Sequence, residues 1–310
     1  MTVFLYAGQG SQFVGMGKDL YEEFPAFRNV VDNAELDFDH KAMMFEGPAE
    51  SLADTVYTQP CMAVFAAGVT AVLKEAGIQA DAACGLSLGE YGALYSAGVW
   101  DTATYIDLVA YRGKVMSEAV KGMSYSMSAI LGSEAAAVEE ACRKFETEGF
   151  VTVANYNCPG QYVICGEEKA VAAVEAYMKE NYKARAARLN TSSPFHTSLL
   201  REAGDKLKEK FKTIEFQTPS IPVYMNVTGE KLKKEESIKK LLEEQVQKSV
   251  RFENILRNLI KDGADRFIEI GPGNVLTGLC RKTARAVGAK VTIQTIQKAE
   301  DLRKLLEEEH

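Results

Sequence analysis

Ser87 has the sequence surroundings of a nucleophilic serine. It lies in Gly85-Leu86-Ser87-Leu88-Gly89, after a small-residue apolar run that ends at Cys84 and before a helix-forming segment. This spacing is typical of a sharp strand-to-helix turn, in which the two glycines let the strand and the helix pass close together. The N–H groups at the start of such a helix can stabilise an oxyanion. The alternative interpretation is an ordinary capping box, formed by Ser87 and Glu90.

A serine nucleophile needs a base, and the chain has three histidines. His40 lies in an acidic, loop-like segment, and His310 is the last residue. His196 follows a Ser-Pro-Phe turn, and an imidazole within hydrogen-bond reach of a serine can take its proton. A structural role is the alternative for a lone histidine, but the sequence favours a pairing of Ser87 with His196.

Two other stretches carry residues that could serve this serine. Arg112 lies in an apolar helical segment, where it is either a solvated residue with a buried stem or a group that binds an anion. The loop Gly8-Gln9-Gly10 follows the first apolar strand, but Phe13 stands where a dinucleotide fingerprint has its third glycine. The loop is therefore predicted to bring a backbone N–H close to a reaction centre rather than to bind a nucleotide.

The composition is that of a soluble globular protein. Of the 310 residues, 46% are hydrophobic, and no segment approaches about eighteen uninterrupted apolar residues. The N-terminus has no basic region of a signal peptide, so we expect a cytoplasmic protein that does not bind membranes. The net charge of -7 argues against a nucleic-acid binder, and the six cysteines lack the spacings of a zinc site. We expect neither a metal nor another cofactor.

The order of predicted strands and helices indicates an α/β fold with an insertion. Residues 124–191 read as a βαββαβ unit, the ferredoxin-like pattern. Residues 1–123 and 192–310 are predicted to form a large α/β-hydrolase-like domain with a mostly parallel sheet. In this domain we also predict a strand from Ile221 to Asn226, a solvent-facing helix from Glu230 to Lys248 and a long apolar helix from Cys61 to Ala76, which Gln59-Pro60 starts.

Seven segments together identify a family resemblance. In order and in spacing, the chain from its first strand to about residue 283 resembles the malonyl-CoA:acyl carrier protein transacylases of bacterial type II fatty-acid synthesis. The segments are residues 7–12 (AGQGSQ), 85–91 (GLSLGEY), 111–116 (YRGKVM), 154–161 (ANYNCPGQ), 194–196 (PFH), 244–246 (EQV) and 271–273 (GPG).

The resemblance implies a reaction and a role for each matching residue. Malonyl-CoA would acylate Ser87, and the phosphopantetheine thiol of holo acyl carrier protein would then collect the malonyl group in a ping-pong mechanism, with His196 as general base and acid. The other implied roles are an oxyanion hole made by the backbone N–H groups of Gln9 and Leu88, a bidentate malonyl carboxylate site at Arg112, an acyl pocket lined by Met116 and Phe195, a cleft contribution from Asn155, and orientation of the histidine by the backbone carbonyl at Gln245.

The sequence departs from the family at Leu86, where a histidine commonly precedes the nucleophile. This departure puts in doubt an extra polar contact at the pocket wall. Two rival functions share part of the pattern. An esterase would use water as acceptor and usually needs an acidic triad member, and a non-catalytic docking subunit would be expected to have lost Ser87, His196 or Arg112.

Overall fold

The computed structural model of the protein describes residues 1–122, 124–189 and 194–309. Within these ranges the chain forms two four-stranded sheets with helices packed around them. The strands are β1 (Thr2–Tyr6), β2 (Ala82–Gly85), β3 (Ser126–Leu131), β4 (Val151–Cys158), β5 (Gln161–Gly166), β6 (Arg185–Arg188), β7 (Arg266–Ile270) and β8 (Thr292–Ile296). The helices are α1 (Lys18–Glu23), α2 (Pro25–Asn33), α3 (His40–Phe45), α4 (Ala49–Leu52), α5 (Thr55–Glu75), α6 (Leu88–Ser96), α7 (Thr102–Ala119), α8 (Ala135–Phe145), α9 (Glu168–Tyr182), α10 (Arg201–Lys212), α11 (Ile238–Gln245), α12 (Phe252–Lys261), α13 (Val275–Ala286) and α14 (Ala299–Glu309), with short 3-10 helices at Glu146–Glu148 and Ser198–Leu200.

The first sheet is parallel and has the strand order β2-β1-β7-β8. Along the central strand β1, Val3 and Leu5 face one hydrophobic cluster, and Phe4 and Tyr6 face another. A parallel sheet is covered on both faces, which explains why β1 is a continuous apolar run. The predicted α/β class with a parallel sheet is confirmed.

Helix α5 runs through the hydrophobic core. Within the described ranges it is the helix long and apolar enough to span a membrane, but 78% of its apolar stretch, which has a mean hydropathy of 1.5, is buried inside the fold. It packs against α2 and α7. The prediction that Gln59-Pro60 starts this helix is wrong, because the Asp54 side chain accepts a hydrogen bond from the Val56 N–H and starts the helix about one turn earlier, at Thr55.

The second sheet is antiparallel and is built from residues between α7 and His196. Its elements follow one another as β3, α8, β4, β5, α9 and β6, and the strands lie side by side in the order β4-β5-β3-β6. Helices α8 and α9 bury their apolar faces against this sheet in a separate hydrophobic cluster. Met123 and Thr191-Ser192, which mark the predicted ends of the inserted unit, lie outside the described residues.

Main-chain hydrogen bonds attach strand β4 of the antiparallel sheet to the segment that follows α11. The Tyr156 N–H donates to the Val250 carbonyl at 2.8 Å, and the Val250 N–H donates to the Ala154 carbonyl at 2.9 Å. Val250 follows α11 by a few residues. The edge of the antiparallel sheet is thus attached to the segment that carries Gln245.

Two further predicted elements differ in the structure. Residues 221–226 form isolated bridges instead of a strand. The Pro222 carbonyl accepts the Ala83 N–H, and the Tyr224 N–H donates to the Ala83 carbonyl. The pairing does not extend further because Pro222 has no N–H. The helix predicted from Glu230 to Lys248 is the shorter α11. Its start is set by the Ser237 side chain, which accepts a hydrogen bond from the Lys240 N–H at 3.4 Å.

Candidate active site

Ser87 occupies a strained turn between β2 and α6. Its φ and ψ are 56° and -104°, a conformation that side chains resist. A Cβ on Gly89 would lie 1.9 Å from the Tyr6 carbonyl oxygen, and one on Gly85 would lie 2.1 Å from the Gly89 carbonyl carbon, so both positions require glycine. Among the described residues, no N–H of α6 donates to the Ser87 side chain, and the capping-box interpretation is therefore wrong.

His196 is hydrogen-bonded to this serine. Its Nε2 lies 2.7 Å from Ser87 Oγ, and its Nδ1 lies 2.8 Å from the main-chain oxygen of Gln245. Because a carbonyl oxygen can only accept, Nδ1 carries the proton and Nε2 is free to accept the serine O–H. Burial, and then the nearby Arg112 charge, lowers the pKa of His196 to about 4. The imidazole is therefore neutral at physiological pH and able to act as a base.

The other histidine in the described ranges is remote from the serine. His40 begins α3, and its Nε2 is 2.8 Å from the Val31 carbonyl oxygen. His310 lies outside the described residues. The prediction that singled out His196 agrees with this arrangement.

Arg112 on α7 brings a buried positive charge to Ser87. Only 1% of its surface is exposed. Its Nη1 donates to Gln59 Oε1 at 2.7 Å, and its Nη2 donates to Gln245 Oε1 at 2.9 Å and to Ser87 Oγ at 3.2 Å. The guanidinium lies over the Tyr91 ring at 5.2 Å, and burial lowers the pKa of Arg112 from its ordinary value. None of its hydrogen-bond partners in the described ranges is a carboxylate, so the site can accept an anion next to the serine.

Met116 and Phe195 lie near this group in different ways. Met116 is one turn beyond Arg112 on α7, and its sulfur accepts a hydrogen bond from Gln59 Nε2 at 3.6 Å. Phe195 precedes His196 and packs against both the main core and the second face of the antiparallel sheet. Met116 belongs to the main hydrophobic core, and Phe195 packs against the same core.

Asn155 is placed on β4, opposite Val250. It is 8% exposed, so it belongs to the buried side of the junction. In the part of the chain that the structure describes, it makes no hydrogen bond to Ser87 or Arg112. Its link to the serine is through the Val250 segment rather than by direct contact.

The two backbone N–H groups predicted for an oxyanion hole lie on segments that meet beside Ser87. Leu88 is the first residue of α6, and Gln9 follows Gly8, where a Cβ would lie 2.5 Å from the Leu86 carbonyl oxygen. The Gln9 side chain is held by the Thr55 hydroxyl at 2.6 Å. A glycine at position 8 therefore allows the loop to approach the turn closely.

Leu86, the departure from the family pattern, packs away from the polar group. Its partly buried side chain contacts the hydrophobic cluster behind the parallel sheet. It also lies close to Gly8, where a Cβ would be 3.2 Å from Leu86 Cδ2. The position thus adds apolar packing under the loop that carries Gln9.

Sequence reasoning missed three polar residues around the site. Gln59 bridges Arg112 and Met116, and Asn226 accepts the Ser87 N–H at 2.7 Å through Oδ1. Glu90 is fully buried and contacts Asn226 and Gln245. The sequence does carry a signal for two of them, because Gln59 and Glu90 lie inside apolar helical segments. A polar side chain that is buried in such a segment needs a hydrogen-bond partner.

The comparisons with known proteins agree on one family. The family model described as "Acyl transferase domain" matches residues 3–306. The malonyl CoA-acyl carrier protein transacylase of Bacillus subtilis (strain 168) is 40% identical over 310 residues, with 96% of this chain and 98% of the relative covered.

Solved structures give the same answer. The malonyl CoA-acyl carrier protein transacylase from Clostridium perfringens is 36% identical, with a TM-score of 0.93 over 99% of this chain and 96% of that chain. A malonyl-transacylase solved in complex with its type II polyketide synthase acyl-carrier protein is 34% identical, with a TM-score of 0.93 and 99% of both chains covered. The chain belongs to the acyl transferase family and, within it, to the malonyl CoA-acyl carrier protein transacylases.

Proposed function

We propose that this protein transfers a malonyl group from malonyl-CoA to the phosphopantetheine thiol of acyl carrier protein and so supplies fatty-acid elongation. The observation that carries the proposal is a buried, permanently charged Arg112 whose Nη2 is 3.2 Å from Ser87 Oγ. A serine acyltransferase for uncharged acyl groups has no use for this cation. An acyl group that ends in a carboxylate would pair with it.

In the first half-reaction, Ser87 Oγ attacks the thioester carbonyl carbon of malonyl-CoA while its proton moves to His196 Nε2. The N–H groups of Gln9 and Leu88 stabilise the oxyanion that forms. The C–S bond then breaks, the CoA sulfur takes the proton from His196, and the malonyl ester stays on Ser87. His196 remains oriented throughout by the Gln245 carbonyl.

In the second half-reaction, the carrier-protein thiol gives its proton to His196 and attacks the ester carbonyl carbon. The C–O bond to Ser87 breaks, the serine oxygen regains the proton, and malonyl-carrier protein leaves. No step needs a metal or another cofactor, a nucleic acid or a membrane.

The acyl pocket combines one charge with apolar walls. Arg112 would bind the free malonyl carboxylate, Met116 and Phe195 would pack against the methylene carbon, and Asn155 would contribute from the β4 side of the cleft. A guanidinium suits this role because it can donate two parallel hydrogen bonds to a carboxylate.

We also propose a division into two domains. The strand order β4-β5-β3-β6 and the element order βαββαβ support a ferredoxin-like domain at residues 124–191. The parallel sheet and the turn at Ser87 support an α/β-hydrolase-like domain at residues 1–123 and 192–310. A cytoplasmic location fits a burial pattern in which the long apolar helix α5 lies inside the fold.

One experiment distinguishes malonyl transfer from the activities of the two rival functions, an esterase and a docking subunit. The protein is mixed with malonyl-CoA alone, and its intact mass is measured; holo carrier protein is then added, and malonyl-carrier protein and free malonate are quantified. Transfer requires a malonyl adduct that moves to the carrier. Free malonate as the main product would indicate an esterase, and the absence of an adduct would indicate a docking subunit.

Substitution Arg112→Ala tests malonyl recognition. Loss of a buried, hydrogen-bonded charge pair costs about 2 to 5 kcal/mol, or roughly 30-fold to several thousandfold in specificity. We expect kcat/KM for malonyl-CoA to fall by that factor, while acetyl-CoA, which has no carboxylate, is transferred as well as before or better. The measurement is the ratio of the two specificity constants.

Arg28→Ala is a suitable control for this measurement. Its guanidinium donates to the Tyr21 carbonyl at 2.9 Å and to the Glu22 carbonyl at 2.6 Å, and among the described residues it makes no hydrogen bond to Ser87 or Gln245. The ratio should be the same in this variant as in the unmodified protein. If Arg112→Ala also leaves the ratio unchanged, malonyl recognition lies elsewhere.

A further inference from the structure

Glu90 is a buried carboxylate to which the proposed mechanism gives no role. It lies on α6, three residues after the nucleophile, and none of its surface is exposed. Its Oε1 accepts the Asn226 N–H at 2.8 Å, and its Oε2 accepts a hydrogen bond from Gln245 Nε2. Burial of a carboxylate is costly, so its two contacts indicate a specific task.

The two residues that Glu90 contacts hold the main chain of the nucleophile from both sides. Asn226 accepts the Ser87 N–H at 2.7 Å and donates to the Gly85 carbonyl at 2.8 Å. Gln245 Nε2 donates to the Ser87 carbonyl at 2.9 Å. The strained turn is therefore held by the amide side chains of Asn226 and Gln245, and Glu90 contacts the main-chain N–H of the first and the side chain of the second.

Gln245 also connects Glu90 to the anion site. Its side-chain oxygen accepts the hydrogen bond from Arg112 Nη2, and its main-chain oxygen contacts His196 Nδ1. An amide side chain has one donating and one accepting end. At Gln245 the donating end faces two groups that only accept, Glu90 and the Ser87 carbonyl, and the accepting end faces Arg112, which only donates.

We propose that the Glu90 carboxylate is a positioning residue that fixes the orientation of the Gln245 amide and thereby holds Arg112 ready for the acyl carboxylate. This inference deepens the proposed function and rests on it. Glu90 touches neither the substrate nor the reacting atoms. Its effect reaches the reaction through the direction of one amide.

The substitution Glu90→Gln keeps the shape of the side chain and changes its hydrogen bonding. The main-chain N–H of Asn226 can only donate, so the new amide must present its oxygen to Asn226 and its NH₂ to Gln245. Two NH₂ groups would then face each other, and the Gln245 amide would lose one of the three contacts that fix its direction. This repulsion would displace the amide from Arg112 and from the Ser87 carbonyl.

We expect this displacement of Gln245 to lower the selectivity for malonyl. The ratio of kcat/KM for malonyl-CoA to kcat/KM for acetyl-CoA should fall on the order of 10-fold to 100-fold, the usual worth of a hydrogen bond to a charged group. Acetyl transfer should fall less, because only the hydrogen bond to the Ser87 carbonyl affects it. A ratio within about twofold of that of the unmodified protein, in a folded variant, would overturn the proposal.

Glu269 offers a matched control. It is also fully buried and also accepts two N–H groups, those of Leu276 at 2.9 Å and Thr277 at 2.7 Å, but it caps α13 and has no contact with Gln245 among the described residues. Glu269→Gln should lower Tm without changing the malonyl-to-acetyl ratio. If both variants lower the ratio equally, the effect is general loss of packing and the proposal fails.

The unmodified protein provides a second measurement that does not depend on the folding of a variant. Burial raises the pKa of Glu90 to about 7, against the lowering effects of the Asn226 and Gln245 contacts and of the Arg112 charge. The other ionisable groups that interact with Glu90 are Arg112, and Tyr91 and Cys84, whose pKa values burial raises. Glu90 is therefore the member of this group that gains a proton as pH falls through 7.

Protonation turns one carboxylate oxygen into an O–H, which is a weaker acceptor for the Gln245 NH₂. The malonyl-to-acetyl ratio of the unmodified protein should therefore decrease as pH is lowered from about 8 to about 6, a window that spans the titration of this group. In Glu90→Gln the ratio should be low and independent of pH. A constant ratio in the unmodified protein over this range would contradict the proposal.

Failure of this inference can be told apart from failure of the proposed function. The unmodified protein must first form a malonyl adduct that moves to carrier protein. If it does not, the function is wrong. If it does, and the selectivity responds to neither Glu90→Gln nor pH, the function stands and the role of Glu90 is wrong.

Discussion

Ser87→Ala is expected to reduce malonyl transfer to the uncatalysed level and to abolish the malonyl adduct on the protein. The substitution removes the attacking oxygen, and no other hydroxyl occupies its position 2.7 Å from His196 Nε2 in the described part of the chain. The turn itself should persist, because Gly85 and Gly89 and the Asn226 contact with the main chain are unchanged. Intact mass after brief exposure to malonyl-CoA measures the adduct, and carrier loading measures transfer.

Ser96→Ala, at the end of the helix that follows Ser87, is a matched control. The Ser96 hydroxyl donates to the Ala93 carbonyl at 2.9 Å and does not reach the site. This variant should form the adduct as the unmodified protein does. A malonyl adduct on Ser87→Ala would show that another residue is the nucleophile.

His196→Ala is expected to slow both half-reactions by roughly a hundredfold to ten-thousandfold, the usual worth of a general acid-base group. The same imidazole takes the serine proton in acylation and the thiol proton in deacylation, so neither step should be spared. Rapid mixing with malonyl-CoA, followed by a chase with holo carrier protein, measures the two rates separately.

His40→Ala serves as the control for the loss of an imidazole. His40 bonds to the Val31 carbonyl, so the two rates should stay near those of the unmodified protein. A His196→Ala variant that slowed deacylation alone would mean that the serine is activated by another group. Equal losses in both steps would support the assignment.

Ser87, His196 and Arg112 could be found from the sequence because each is unusual for its surroundings. The serine lies between two glycines, the histidine follows a proline turn at the end of an inserted unit, and the arginine interrupts an apolar helix. Their types alone restrict the chemistry. Their pairing needed only that the three segments converge on one cleft.

The support around these residues could not be predicted in the same way. Glu90 meets Asn226 and Gln245 across 136 and 155 residues of chain, and neither periodicity nor motif spacing reports contacts of that range. A glutamate within the first helical turn has a common local explanation, the capping box. Only the three-dimensional arrangement distinguishes a capping box from the long-range contacts that Glu90 makes.

The strand and helix order was predictable for a related reason. The apolar run of β1 and the alternating residues of β3 carry their own periodicity, which local sequence records. The predicted strand at residues 221–226 was wrong because strand pairing depends on the partner strand as well as on composition. Helix α11 was predicted too long because its charged residues favour a helix, whereas the Ser237 cap sets where the helix begins.

The hydrogen bonds between Ala154, Tyr156 and Val250 have a consequence for how sequences in this fold can diverge. Main-chain groups make both bonds, and every residue except proline at positions 156 and 250 supplies the same N–H. Side chains where β4 meets the Val250 segment can therefore be exchanged one at a time while these main-chain hydrogen bonds are kept. Acyl preference could be altered by such exchanges without re-evolving the architecture that brings serine, histidine and arginine together.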